Sequence, residues 1–239
     1  MFWDGAFNLR DLGGLPLVAG GSTRGGRVYR SGAPEWLTTL GWQQAAADGL
    51  TTIVDLRNAP SETQRLPEHP IVAASAYAFA RVINAPTEDP EDEAFMQVCG
   101  PWLDHPRSYA DNLAFYPSKF AEVFRAIVAD ESAVLVHCAG GKDRTGIIVA
   151  MLLSLTGVEH AAIVRDYEDA FRAANELMRT DPGHHRRFAQ TSEELDEWMS
   201  QRTAALRDWL AGLDVAEYLS SAGVTDAELL RLSTMLHNR

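Results

Sequence analysis

The chain has 239 residues, of which 46% are hydrophobic and 23% charged, so it can bury a core of ordinary size. Its formal net charge of -12 argues against nucleic acid or an anionic membrane as the main partner. We expect one domain over residues 1–239 with a helical elaboration, although two domains would also fit this length.

The cysteine count and the lengths of the apolar runs indicate the cellular compartment. Only Cys99 and Cys138 are present, so no disulfide framework is indicated and a reduced compartment fits better. Residues 1–5 lack a basic region followed by an apolar run, and no integral membrane segment is expected. We therefore expect a cytoplasmic protein, although export without a signal peptide would leave no trace in the sequence. The oligomeric state is not predicted.

The first half of the chain reads as strands separated by turns and one helix. Strands are predicted at residues 15–18 and 27–30, around the turn Gly20-Gly21-Ser22. A helix over 39–48 should end at Gly49, and a β-branched run predicts a buried strand over 51–56. A further strand is expected near the end of residues 71–83, and the acidic, proline-rich residues 85–106 should form an exposed loop or short helix.

The second half is dominated by helices. The helix after Pro117 shows one apolar stripe. An apolar strand at 133–137 then leads through residues 138–144 into an apolar helix at 145–153. A helix over 159–179 follows, with Gly157 as the stop between the two, and Asp181-Pro182-Gly183 breaks the pattern. The last helices, 192–210 and 226–237, begin at spacings typical of capping boxes, which are Thr191/Glu194 and Thr225/Glu228.

Strands that alternate with helices predict an α/β fold with a central, mainly parallel sheet flanked by helices on both faces. The all-helical last third predicts extra C-terminal helices added to that domain.

The segment from His137 to Gly146 carries the strongest chemical signal. A strand, a glycine-containing loop and a helix N-terminus in succession form an anion cradle, because the first helical N–H groups have no intrahelical acceptor. Gly140 and Gly141 let the backbone curl, and Arg144 can add charge-assisted hydrogen bonds to phosphate. The same positive field favours a thiolate at Cys138. Cys99, by contrast, is expected to be a small buried side chain.

The string His-Cys-Ala-Gly-Gly-Lys-Asp-Arg-Thr-Gly resembles the phosphate-binding loop of the protein tyrosine phosphatase superfamily, and within it the bacterial protein tyrosine phosphatase B group. Four further segments resemble that group: Asn8-Leu-Arg-Asp-Leu-Gly-Gly14, Tyr29-Arg-Ser-Gly32, Ile53-Val-Asp-Leu-Arg57 and Ile163-Val-Arg-Asp-Tyr167. The resemblance spans roughly residues 8–167, with weaker support to the C-terminus.

The resemblance implies a phosphatase fold and a phosphocysteine mechanism. It makes Cys138 the nucleophile, Arg144 the phosphate clamp and Thr145 the group that stabilises the departing thiolate. His137 would orient the loop and tune Cys138, and is not counted as catalytic. The substrate-binding residues expected from the loop are Ala139, Gly140, Gly141, Lys142 and Thr145. The implied partners are phosphorylated proteins, on tyrosine and also on serine or threonine, and phosphoinositides.

The general acid is ranked among three aspartates, because departure of the ester oxygen needs a proton. Asp143 ranks first, since the resembled group places the acid at that position. Asp55 ranks second, because it ends a predicted parallel strand where α/β sites collect. Asp104, in Trp102-Leu103-Asp104, is third as a loose echo of a Trp-Pro-Asp motif.

Two further hypotheses carry equally weighted alternatives. Lys142 either pairs with a second phosphate on an inositol ring or is a solvated surface charge. Residues 168–200 form either a helical lid, as in the resembled group, or a peripheral helical hairpin, and the basic residues His184-His185-Arg186-Arg187 lie within them.

Two alternative functions stay open. A rhodanese-type sulfurtransferase also places a reactive cysteine before a helix, and a non-catalytic phosphate-binding module could use the same cradle. No metal site is expected, because no Cys, His and carboxylate cluster completes a ligand set, and no cofactor motif is present.

Overall fold

The computed structural model describes residues 3–58, 62–180 and 189–238. Within them, five strands form one sheet: β1 (Arg10–Asp11), β2 (Val28–Ser31), β3 (Leu50–Asp55), β4 (Arg81–Asn84) and β5 (Ala133–His137). The strand order is β1-β2-β5-β3-β4. Strands β2, β5, β3 and β4 run parallel and β1 pairs antiparallel with β2. The central strand β5 is buried at every position.

The helices of the described residues are, in chain order, α1 (Thr39–Ala47), α2 (Glu93–Val98), α3 (Tyr109–Phe115), α4 (Pro117–Val128), α5 (Asp143–Thr156), α6 (His160–Thr180), α7 (Ser192–Gly212), α8 (Val215–Ser221) and α9 (Asp226–Thr234). Short 3-10 turns lie at Pro34–Trp36, Ala74–Ala76, Gly100–Trp102 and Pro106–Ser108. Among the described residues, no helix combines the length and the apolar character that crossing a bilayer requires.

Alternate residues of the central strands face opposite layers of helices. On β5, Val134 and Val136 join the cluster formed with α4 and α5, whereas Leu135 joins a smaller cluster with Trp42 of α1. This period of two is the pleat of a strand that is buried on both faces. The mainly parallel sheet with helices on both faces and added C-terminal helices is therefore confirmed.

Most predicted elements are present within one or two residues. They include α1 with its stop at Gly49, strands β3 to β5, the apolar stripe of α4, and α5 ending at Gly157 in a left-handed conformation. Both predicted capping boxes are formed, at the starts of α7 and α9. The pattern break at 181–183 and the basic cluster at 184–187 lie outside the described residues.

The strand predicted at residues 15–18 is wrong. Only isolated bridges form there, between Pro16 and Ser22 and between Leu17 and Val158. Proline has no N–H to donate to a ladder, which limits its use within a sheet. The partner of β2 is instead β1, which the sequence did not predict.

The expectation of an exposed segment over residues 85–106 is wrong in part. The short helix α2 is present, but Phe95 and Cys99 are completely buried. Cys99 is therefore the buried side chain that was expected. Helices α3 and α8 were not predicted, because each has only seven residues and shows too few turns to reveal a period.

Candidate active site

Residues 138–144, which we call the phosphate loop, connect the carboxyl end of β5 to the first turn of α5. Cys138 follows directly after the strand and is 3% exposed. Helix α5 begins at Asp143 and runs for 14 residues. A helix of this length directs a positive partial charge and free N–H groups towards the loop. The predicted cradle of strand, loop and helix N-terminus is therefore present.

The loop turns at Gly141, which adopts a left-handed φ of 65°. A Cβ atom at this position would lie 2.5 Å from the carbonyl carbon and oxygen of Ser31, at the end of β2. Both the backbone conformation and the close approach therefore require glycine. This contact sets the loop against the strand next to β5.

Arg144 is held by two glutamates that the sequence did not single out. Its Nη1 lies 2.6 Å from Oε2 of Glu62, and its Nε lies 3.7 Å from Oε2 of Glu88. Burial raises the pKa of Glu88 to about 7, with a downward effect from Arg144 and upward effects from Asp143 and Glu62. Glu88 belongs to the acidic stretch expected to be exposed, but its side chain is only 13% exposed.

Asp143, the first residue of α5, has the properties of a proton donor. Burial raises the pKa of its carboxyl group to about 6, although Lys142 acts in the opposite direction. Its Oδ1 atom is buried and has no hydrogen-bond partner among the described residues. A carboxyl group with this pKa is partly protonated near neutral pH, and its protonated form can donate to a leaving ester oxygen.

Asp55 occupies a different environment from the one expected for an acid. Its two carboxylate oxygens accept hydrogen bonds from Nε and Nη2 of Arg57, at 2.9 and 2.7 Å. Burial alone would raise the pKa of Asp55, but the hydrogen bonds from Arg57 and the proximity of His137 outweigh it and lower that pKa. A carboxyl group with a lowered pKa is rarely protonated near neutral pH, so the ranking of Asp143 before Asp55 stays our prediction.

His137 lies between Asp55 and the phosphate loop. Its Nε2 is 3.8 Å from Oδ2 of Asp55, and its Nδ1 is 3.2 Å from the carbonyl oxygen of Cys138. Burial lowers the pKa of the ring, partly offset by Asp55. This placement is compatible with orienting the loop.

Asp104, the third acid candidate, is bound by α7. Nη2 of Arg202 lies 3.1 Å from its Oδ2, and the Asp104 side chain is 63% exposed. Asp104 thus lies in an exposed ion pair with α7, whereas the Oδ1 atom of Asp143 is buried.

The remaining loop side chains lie on different sides of the cradle. Thr145 is completely buried, and its hydroxyl group has no hydrogen-bond partner in the described part of the chain. Lys142 is half-buried, with Nζ 4.9 Å from the centre of the Phe171 ring on α6. Ala139 is exposed and Gly140 is half-buried. The loop thus presents mainly backbone at its mouth.

A cavity of about 310 Å³ opens beside Arg144. Its apolar side is formed by Pro90, Phe95, Met96 and Leu103. The acidic side carries Glu62, Glu88, Asp104 and Asp143, and Asn58 completes the lining. Arg144 is the basic residue of this lining. Within the described residues, no group of His, Cys, Asp and Glu is arranged to hold a metal ion.

Comparisons with known proteins find similar sequences along nearly the whole chain. The model of the "Tyrosine phosphatase family" matches residues 1–238. A tyrosine-protein phosphatase of Nostoc commune is 29% identical over 213 residues, which cover 84% of this chain and 70% of that protein. The triple specificity protein phosphatase PtpB of Mycobacterium tuberculosis is 27% identical over 245 residues, which cover 92% of this chain and 86% of that protein.

Among solved structures, TpbA of P. aeruginosa in complex with pTyr aligns with 84% of this chain and 88% of that chain, at 15% identity and a TM-score of 0.43. The match of the family model extends over nearly all of the sequence and includes the phosphate loop. The chain belongs to the tyrosine phosphatase family.

Proposed function

We propose that this phosphatase hydrolyses phosphotyrosine in proteins through a phosphocysteine intermediate on Cys138. The observation that carries the proposal is the position of this thiol, at the carboxyl end of β5 and next to the N-terminus of α5, six residues before Arg144. The phosphate loop and the start of α5 thus supply both the nucleophile and the groups that stabilise the phosphate oxygens.

The reaction has two steps. The Cys138 thiolate attacks phosphorus and forms the sulfur–phosphorus bond, while the bond to the ester oxygen breaks and Asp143 gives that oxygen its proton. A water molecule then attacks phosphorus, its proton passes to the Asp143 carboxylate, and phosphate leaves as the thiolate is restored. Arg144 and the loop N–H groups stabilise the equatorial oxygens in both steps, and the Thr145 hydroxyl group can donate to the departing sulfur.

Phosphotyrosine ranks first among the substrates because of the cavity beside Arg144. Pro90, Met96 and Leu103 offer apolar contacts for a phenyl ring. The four carboxylates on the same cavity disfavour a ligand with several phosphates. Phosphoserine, phosphothreonine and phosphoinositides are further proposed substrates, supported by the similarity to a relative named a triple specificity phosphatase.

Lys142 is the proposed binding group for a second phosphate on a phosphoinositide. If its ammonium group leaves the Phe171 ring to bind that phosphate, Lys142→Ala should lower kcat/KM for a phosphoinositide about tenfold more than kcat/KM for phosphotyrosine. Turnover of both substrates by the wild type and this variant is the measurement. Equal losses on the two substrates would contradict a role in binding the second phosphate.

The proposal is tested by hydrolysis of phosphotyrosine peptide and para-nitrophenyl phosphate in excess chelator, with wild type and Cys138→Ser. We expect chelator-resistant turnover in the wild type and none in the variant, because serine is not ionised near neutral pH. Circular dichroism confirms that the variant is folded. Equal turnover by the two proteins, or turnover that the chelator abolishes, would overturn the mechanism.

A further inference from the structure

Three consecutive carbonyl oxygens of the phosphate loop are bound from outside the loop. The carbonyl of Ala139 accepts from the backbone N–H of Ala33, at 2.9 Å. The carbonyls of Gly140 and Gly141 accept from Nδ2 of Asn8, at 2.9 and 3.2 Å. The Gly141 carbonyl also accepts from Nη2 of Arg30, at 2.7 Å.

These bonds determine the direction of the loop N–H groups. A trans peptide unit is planar, so a carbonyl and the following N–H point in opposite directions. When the three carbonyls are held outwards, the N–H groups of Gly140, Gly141 and Lys142 point to the concave side. None of these three groups donates a hydrogen bond to the backbone of another described residue. They are therefore oriented to donate to an incoming phosphate.

We propose that Asn8 and Arg30 are positioning residues that hold the phosphate loop in its binding conformation before substrate arrives. The inference rests on the proposed function of that loop. It assigns a role to two of the segments that the sequence analysis singled out, around Asn8 and Tyr29-Arg-Ser-Gly32, neither of which contributes an atom to the reaction. It also links the antiparallel edge of the sheet to the chemistry at its centre.

Asn8 has the side chain and the backbone that this role needs. Its φ is 54°, and it is the non-glycine residue with a left-handed φ in the described chain. Asparagine tolerates this conformation better than most residues. Its side-chain amide also donates to the carbonyl of Ala170 in α6, at 3.1 Å, and its Oδ1 accepts from Nη1 of Arg10, at 2.6 Å.

Arg30 is anchored by a buried carboxylate. Its side chain is 1% exposed, and Nη1 is paired with Oδ2 of Asp166 on α6. The other oxygen of Asp166 lies 3.0 Å from Nε of Arg10. Burial alone would raise the pKa of Asp166, but Arg30 and Arg10 outweigh it and keep that pKa below its usual value. The guanidinium fork therefore has one side fixed on α6 and the other on the loop.

The test uses Asn8→Gly and Arg30→Lys. In Asn8→Gly, glycine keeps the left-handed backbone and removes the side-chain donors. In Arg30→Lys, lysine keeps the charge but lacks the two separate nitrogens with which the guanidinium group binds Asp166 and the Gly141 carbonyl. Tyr218→Phe is the matched control, because it removes one donor to a backbone carbonyl, that of Leu113, away from the loop. Inorganic phosphate binding is measured by calorimetry in the Cys138→Ser background, and kcat/KM is measured in the active background.

We expect Asn8→Gly and Arg30→Lys each to weaken phosphate binding and lower kcat/KM, by roughly 10–100-fold, as a misplaced binding group does. Tyr218→Phe should change both quantities less than about twofold. Phosphate affinity and kcat/KM that stay at the control level in folded Asn8→Gly and Arg30→Lys proteins would overturn the proposal. A different result would separate this inference from the proposed function. If the wild type is inactive, but Cys138→Ser binds phosphate and Asn8→Gly weakens that binding, the proposed function is wrong and this inference stands.

Discussion

At the scale of single residues, Asp143 is the group whose environment bears most on catalysis. Its carboxyl group, with a pKa of about 6, must be protonated to serve as an acid, so turnover should fall as pH rises through that value. Asp143→Asn should lower kcat for phosphotyrosine by about 10²–10⁴-fold and remove this falling limb. The loss on para-nitrophenyl phosphate should be smaller, because nitrophenolate needs less help to leave. An unchanged pH profile in the variant would show that another group is the acid.

Glu88 gives a second prediction, on stability. Its folded pKa of about 7 lies above its ordinary value of 4.5, so ionisation costs folding free energy as pH rises from about 4.5 to 7. Glu88→Gln should therefore be more stable than the wild type at pH 8, by roughly 1–3 kcal/mol, and similar to it at pH 4.5. Urea denaturation at both pH values measures the difference.

The control for this prediction is Asp89→Asn, one residue further on, where the side chain is 45% exposed. We expect it to match the wild type within about 0.5 kcal/mol at both pH values. A gain in Glu88→Gln that is equally large at pH 4.5 would contradict the titration of Glu88 as its cause.

Residues that follow each other in the chain could be predicted, and those brought together by folding could not. Cys138, Asp143, Arg144 and Thr145 lie on one loop and helix start, so their proximity is local. Glu62 and Glu88 contact Arg144 although each is more than fifty residues away in the sequence, and no periodic pattern in the sequence predicts these contacts. The pairing of Asp55 with Arg57 was not predicted, although Arg57 is only two residues away, on the same side of an extended chain.

At the scale of elements, the C-terminal helices should depend on their caps. Thr225 accepts a hydrogen bond from the N–H of Glu228, and Glu228 accepts from the N–H of Thr225 at the start of α9. Thr225→Ala should lower the free energy of unfolding by about 1 kcal/mol and leave kcat unchanged. Thr234→Ala, at the other end of the same helix, should cost less than about 0.5 kcal/mol. Equal costs at both ends would contradict the cap.

Elements with a clear period or a start signal were predicted well, for physical reasons. The capping boxes and the stripe of α4 arise from contacts three or four residues apart, which a sequence shows directly. The strand prediction at 15–18 failed because its apolar residues satisfy the strand pattern, while Pro16 has no N–H to donate and only isolated bridges form there. Helices α3 and α8 are held by tertiary packing, for example by the bond from Tyr218 to Leu113, more than by their own periodicity.

At the scale of the whole molecule, the negative net charge should act on substrate choice. The overall charge of -12, with acidic side chains such as Glu62 and Asp104 beside Arg144, repels an acidic peptide, and salt screens this repulsion. Raising the ionic strength from about 50 to 500 mM should increase kcat/KM for an acid-flanked phosphotyrosine peptide by roughly two- to fivefold and decrease it for a lysine-flanked peptide. Salt effects of the same sign on the two peptides would contradict this account.

The chain carries a net charge of -12, so a site for an anion needs positive groups gathered locally. The positive groups of the phosphate loop are Lys142, Arg144 and the N-terminus of α5, and the orientation of the loop N–H groups comes from Asn8 and Arg30. The overall charge could be counted from the sequence, but the side of the site on which the carboxylates gather depends on the fold.

The central claim, a phosphocysteine on Cys138, is tested most directly by trapping the intermediate. Wild type is mixed with para-nitrophenyl phosphate, quenched within the first turnovers and digested, and the peptides are analysed by mass spectrometry. We predict one phosphate on the peptide that contains Cys138, and none on that peptide from Cys138→Ser. Steady turnover with an unmodified Cys138 under the same quench, or a phosphate on another residue, would contradict the account.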